Sequence, residues 1–130
     1  MIFDTDVLIW FLRGDSAAAR FINAEPDRDI SIISLMELIQ GARSKAEVAA
    51  IRAFVAGHAI NVLALNESIG YMAATLIEQH AHSAGLQVAD ALIAATAREY
   101  GATLATGNVR HFRTLTGVML KAFRPNRAHK

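Results

Sequence analysis

Short apolar runs alternate along the chain with longer segments that begin on capping residues and end on glycine or proline. Five runs read as strands: Met1–Asp4, Ile30–Ile33, Ile60–Leu65, Thr103–Thr106 and Val118–Phe123. Between the first two, Val7–Arg13 reads as a short helix stopped by Gly14, and Asp15-Ser16 caps a second helix that runs to Ala24 before Pro26. Ser34-Leu-Met-Glu37 has capping-box spacing and predicts a helix ending near Gly41; Ser44-Lys-Ala-Glu47 repeats the signature ahead of a helix ending at Gly57. Asn66 caps the longest helix, to about Ser83 with Gly85 as its stop, and Val88–Tyr100 is an Ala-rich helix closed by Gly101. Gly107–Phe112 is expected to be a loop. Strands alternating with helices predict an α/β fold with a mostly parallel sheet.

Such sheets carry their sites beyond the carboxyl ends of the strands, at a topological switch point. The residues just past each strand therefore matter most. Asp4 ends the first, with Asp6 two residues on. Glu37 follows the second, Asp90 opens the helix before the fourth, and Thr106, Asn108 and His111 come after the fourth. Carboxylates gathered at one edge repel unless a cation neutralises them or some take up protons. An oxygen-only donor set suits magnesium or manganese, not zinc. Each acid also has a plainer reading. Glu37 can be the reciprocal partner of Ser34 in a cap, Asp90 a first-turn acid favoured by the helix dipole, and Asp6 a cap for the helix at Val7. Asp4 is harder to dismiss, because a carboxylate at the end of a buried strand is costly unless something uses it.

Composition narrows the class. With 130 residues, 53% apolar and 19% charged, the chain is one globular domain, 1–130, and not a disordered segment. The early apolar run Val7–Leu12 is far short of a membrane span, and Asp4 and Asp6 stand where a leader would be basic and apolar. Having no cysteine, the chain has no disulfides or thiolate sites, which fits a reducing cytoplasm. Charge is uneven. Residues 1–99 hold seven Lys/Arg against twelve Asp/Glu, whereas 100–130 hold six Lys/Arg and no acid. That segment, with Arg110, Arg113, Lys121, Arg124, Arg127 and Lys130, suits a phosphate-bearing partner or, equally, a solvated terminus.

Four segments together, IFDTDVLI (2–9), SLMELIQG (34–41), DALIAATA (90–97) and LATGNVRHF (104–112), resemble PIN-domain ribonucleases, most of all the VapC-type toxins of toxin–antitoxin systems. The resemblance spans the chain and implies a three-layer α/β/α domain with a central sheet of about five strands. It implies that Asp4, Glu37 and Asp90 hold Mg²⁺ or Mn²⁺, Glu37 directly or through water, and that RNA is cut to a 3′-hydroxyl and a 5′-phosphate. Thr106 and Asn108 would then hold water or the scissile phosphate, with Asp6 as an extra carboxylate. Arg110 would bind RNA backbone. Asn108 departs from the many PIN domains that have a fourth acid there; it offers a neutral oxygen and weakens the case for a second tightly held metal. The resemblance also implies a VapB-like antitoxin and a homodimer or toxin–antitoxin hetero-oligomer.

Two residue groups keep double readings. His111 faces the expected site and suits either a phosphate contact or a structural loop position. Trp10 and Phe11 can pack in the core or line a groove for an antitoxin helix that sends an arginine into the acids. Other functions are a solitary RNA-processing nuclease, or a PIN module that only binds RNA or a partner. A dehalogenase-type phosphatase would need a lysine after a later strand, and the lysines here are Lys45, Lys121 and Lys130. His80 and His82, two residues apart on a helix, point about 200° apart and cannot share an ion.

Overall fold

The computed structural model describes residues 1–126, except for the side chains at 81, 83 and 84. Its elements, in chain order, are β1 (Ile2–Phe3), α1 (Thr5–Leu12), α2 (Ser16–Asn23), β2 (Asp29–Ser31), α3 (Ile32–Gly41), α4 (Lys45–Gly57), β3 (Asn61–Leu63), α5 (Glu67–Ala84), α6 (Val88–Glu99), β4 (Leu104–Thr106), α7 (Val109–Phe112) and β5 (Leu120–Ala122). The strands form one sheet in the order β3-β2-β1-β4-β5, and every pairing is parallel. The expected α/β class and strand number hold, and the parallel character is complete among these strands.

Side chains two residues apart on a strand share a face, so even a two-residue strand serves both layers. Ile2 and Leu104 are buried in the cluster with Ile69, Leu76, Ile93 and Phe112, from α5, α6 and α7. Phe3 and Ala105 are buried in the other cluster with Val7, Ile22, Leu35 and Phe54, from α1 to α4. A helical layer thus covers each face. Sequence order departs from spatial order at β1: the chain steps outward to β2 and β3, then crosses back to place β4 on β1's other side. The crevice between β1 and β4 is the switch point.

Four local expectations change. The helix after β2 starts at Ile32, with Ser31 as its cap accepting from the Ile33 N–H at 3.0 Å. Ser34 is therefore buried inside α3, and the Ser34–Glu37 capping box does not form. The first helix starts at Thr5 with Asp4 as its cap, so Asp6 lies in the first turn and does not cap it. Residues 109–112, expected in a loop, make the short helix α7. Asp15, Ser44 and Asn66 cap α2, α4 and α5 as expected, and Gly85 ends α5 with φ of 66°. Arg127, His129 and Lys130, part of the basic segment, lie outside the described residues. Among the described residues no helix is long and apolar enough to cross a membrane.

Candidate active site

Asp4 stands at the bottom of the crevice, 7% exposed. Its Oδ1 accepts from the Thr5 N–H at 2.8 Å, a consequence of capping α1, and its Oδ2 accepts from the Thr106 hydroxyl at 2.7 Å. Thr106, the last residue of β4, in turn accepts from the Asn108 N–H at 2.9 Å. The two central strands are thus tied together through their terminal side chains. Asp6, two residues on in the first turn of α1, accepts from the Gly107 N–H through Oδ2 at 2.9 Å, while its buried Oδ1 has no hydrogen-bond partner among the described residues. A Cβ on Gly107 would lie 2.7 Å from that same Oδ2, so glycine is what lets the loop after β4 close on Asp6.

These carboxyls press on one another. Burial first, then the charge of Asp6 and, more weakly, that of Asp90, lift the Asp4 pKa to about 7 against the hydrogen bonds from Thr106 and Thr5. Burial also raises Asp6, opposed by the Gly107 N–H and assisted by Asp90. An acid in the first turn of α6, Asp90 has Oδ2 3.4 Å from the Gln87 N–H and 3.8 Å from His111 Nδ1. That ring nitrogen is also 2.9 Å from the Asn108 amide nitrogen, so His111 sits between Asn108 and Asp90 and binds one or the other according to where its proton lies. The plain reading of Asp90 as a first-turn acid is correct, and its charge reaches Asp4 as well.

Glu37 is exposed in the middle of α3. Its Oε1 accepts from the buried Thr5 hydroxyl at 2.7 Å, and that hydroxyl is 2.9 Å from Ser34 Oγ. Thr5 therefore joins Glu37 to Asp4: its N–H serves one carboxylate and its O–H the other. Nothing in the sequence marked Thr5, because its role needs α1 and α3 side by side. Among the described residues no three acids or histidines close into a metal cluster. Glu37 is hydrogen-bonded to the Thr5 hydroxyl and Asp90 to the Gln87 N–H. The donor set nonetheless suits magnesium, which keeps several waters and takes only one or two carboxylates. The partnerless Asp6 oxygen and the elevated Asp4 mark negative charge that a cation would relieve. Arg110 and Arg113 are exposed on and just after α7, on the side of His111.

Beside Glu37 a groove of about 470 Å³ opens between α1, α3 and α4, lined by Ile9, Leu12, Arg13, Leu38 and Ile51 among others. Trp10 and Phe11 do not line it. Both pack against the core cluster, Phe11 with its ring 4.8 Å from Phe54 and 4.8 Å from His58, Trp10 with the Arg13 guanidinium 5.7 Å from its ring centroid. Core packing accounts for one side of each ring, and both side chains stay half-buried. The exposed apolar residues of α1 are Ile9 and Leu12, at 36% and 42%.

Comparisons with known proteins agree with this geometry. The family model for the PIN domain matches residues 1–117. The chain is 35% identical over 116 residues to Ribonuclease VapC19 of Mycobacterium tuberculosis, across 85% of this chain and 90% of that protein. Among solved structures it is similar to a toxin–antitoxin complex from Klebsiella pneumoniae (28% identity, TM-score 0.76, covering 91% of this chain and 94% of that one). It is also similar to DNA-bound VapBC from Salmonella typhimurium (25% identity, TM-score 0.77, covering 93% and 96%). With an all-parallel sheet in this order, acids at its switch point and a family match over most of its length, the chain belongs to the PIN-domain family.

Proposed function

We propose that this protein is the ribonuclease of a toxin–antitoxin pair, dependent on Mg²⁺ or Mn²⁺ and able to stop growth by cutting RNA needed for translation. The observation that carries the reading is the acid site itself: Asp4 is buried and Asp6 half-buried in the crevice between β1 and β4, and the charges of Asp6 and Asp90 add to burial in raising the proton affinity of Asp4. Asp4 and Asp90 are the residues that would hold the cation, with Asp6 beside them. When bound, it makes water acidic enough to give hydroxide near neutral pH and offsets charge building on the phosphoryl oxygens. The chain's own groups do the rest. Thr106 and Thr5 keep Asp4 in one rotamer through hydrogen bonds to both its oxygens. Glu37, fixed by the Thr5 hydroxyl, orients the attacking water on the α3 side. Asn108 and His111, on the opposite side, contact the scissile phosphate, and Arg110 binds backbone further out without reading sequence.

The groove beside Glu37 is the natural seat for a VapB-like antitoxin, since the relatives solved as complexes share this fold. An apolar segment on Ile9 and Leu12 would end next to Glu37, where a basic side chain could occupy the acid site. A homodimer or toxin–antitoxin hetero-oligomer fits the exposed Tyr71, Val88 and Tyr100 on and beside α5 and α6. Induced expression in a bacterial host tests the reading. It should halt growth and amino-acid incorporation within minutes, and Asp90→Asn, produced at equal level, should do neither. Unimpaired growth with an unchanged RNA profile would refute it.

A further inference from the structure

Arg124 follows β5, at the same carboxyl edge of the sheet as Asp4, and the chain there is tied to the acid site. The Phe123 N–H donates to the Thr106 carbonyl at 2.9 Å, and a Cβ on Gly107 would meet Asp6 Oδ2 at 2.7 Å and the Phe123 carbonyl at 3.4 Å. Just past this point lies a pocket of about 280 Å³, larger than one nucleobase, lined by Ala17, Arg20, Phe21, Ala122, Phe123 and Arg124. Its apolar lining is Phe21 and Phe123, whose ring centroids are 5.2 Å apart, and two alanines. Its rim is cationic. Arg20 and Arg124 are both exposed and have no hydrogen-bond or ion-pair partner among the described residues. Lys121 adds a third charge, with Nζ 5.1 Å from the Phe21 ring centroid and 3.8 Å from Glu25.

Guanidinium groups match phosphate oxygens in geometry as well as charge, and an apolar aromatic lining accepts the face of any base. We propose that this pocket is a nucleotide subsite: Arg20 and Arg124 clamp a phosphate of the RNA next to the cut bond, and the apolar lining takes the base attached to it. The inference rests on the ribonuclease reading and extends it, because it routes the strand from the acid crevice over β5 onto α2. The basic tail read from sequence does not include Arg20; α2 supplies half of the clamp.

Fluorescence anisotropy with a short single-stranded RNA in EDTA tests the pocket, with cleavage in Mg²⁺ measured alongside. Arg20→Ala/Arg124→Ala should bind about ten-fold more weakly at low salt and lower the log–log salt slope by about one, as loss of one or two phosphate contacts requires. Ala17→Leu, which fills the pocket without changing charge, should weaken binding and leave the slope unaltered. Equal affinity of the double variant and the wild type, with RNA still cut by both, would overturn the subsite and leave the ribonuclease reading intact. Unchanged RNA affinity with lost binding of a protein partner would also overturn it. A wild-type protein that neither binds nor cuts RNA would overturn both.

Discussion

At the scale of single residues, the account turns on carboxyls held where water cannot stabilise them. Asp4 titrates near 3.8 when unfolded and at about 7 in the fold. Between those values the folded protein keeps a proton the unfolded chain has lost, so the contribution of Asp4 to stability is fully present below about pH 4 and is lost as pH rises through 7. In metal-free buffer the melting temperature should therefore fall between pH 5 and pH 8. Asp4→Asn should flatten that decline and raise the pH 8 value by roughly 3–5 °C, read by calorimetry. A variant no more stable than wild type at pH 8 would show that the Asp4 charge is not strained. Asp4 was legible in the sequence because a carboxylate ending an apolar run has few structural explanations. Asp6 and Glu37 were legible as acids but not in their contacts. The Gly107 N–H that holds Asp6 and the Thr5 hydroxyl that holds Glu37 come from 101 and 32 residues away in sequence.

Among the elements, α1 does the most. It follows β1 without a linker, so the residue that ends the strand also caps the helix, and Asp4 serves both. The sequence signal for a helix from Val7 was sound; its start was misplaced because Asp4 looked like strand and Asp6 like a cap. The same competition applies at α3, where Ser31 and Ser34 both precede apolar helical residues; Ser31 caps the helix, while Ser34 is buried in a hydrogen bond with the Thr5 hydroxyl. Along α1 the consecutive Trp10, Phe11 and Leu12 cannot all be buried. The structure turns Trp10 and Phe11 toward the core and leaves Leu12, with Ile9, on the groove. An antitoxin seated in that groove should bind Leu12→Ala about ten-fold or more weakly, as loss of one apolar anchor predicts, with RNA cutting by the free protein unchanged. Phe11→Ala should instead lower the melting temperature through a cavity beside Phe54. Titration calorimetry with the partner peptide separates the two; unaltered affinity for Leu12→Ala would place the partner elsewhere.

In the whole molecule, strand order converts a linear string of acids into a site. Asp4 and Thr106 are 102 residues apart in sequence and 2.7 Å apart in space because β1 and β4 are neighbours across the switch point. The α/β class followed from alternating runs, and the position of the site followed from that class; the strand order did not, since short apolar strands carry little register information of their own. The central claim is that these acids hold a divalent cation and cut RNA with it. Cleavage of an end-labelled RNA by the purified protein, followed across a Mn²⁺ titration and paired with Mn²⁺ binding on the same samples, tests it most directly. The account predicts no cutting in EDTA, cutting that rises with Mn²⁺ occupancy to give 5′-phosphate ends, and loss of both binding and cutting in Asp4→Asn/Asp90→Asn. Cutting that persists in EDTA, or survives in the double variant, would contradict it.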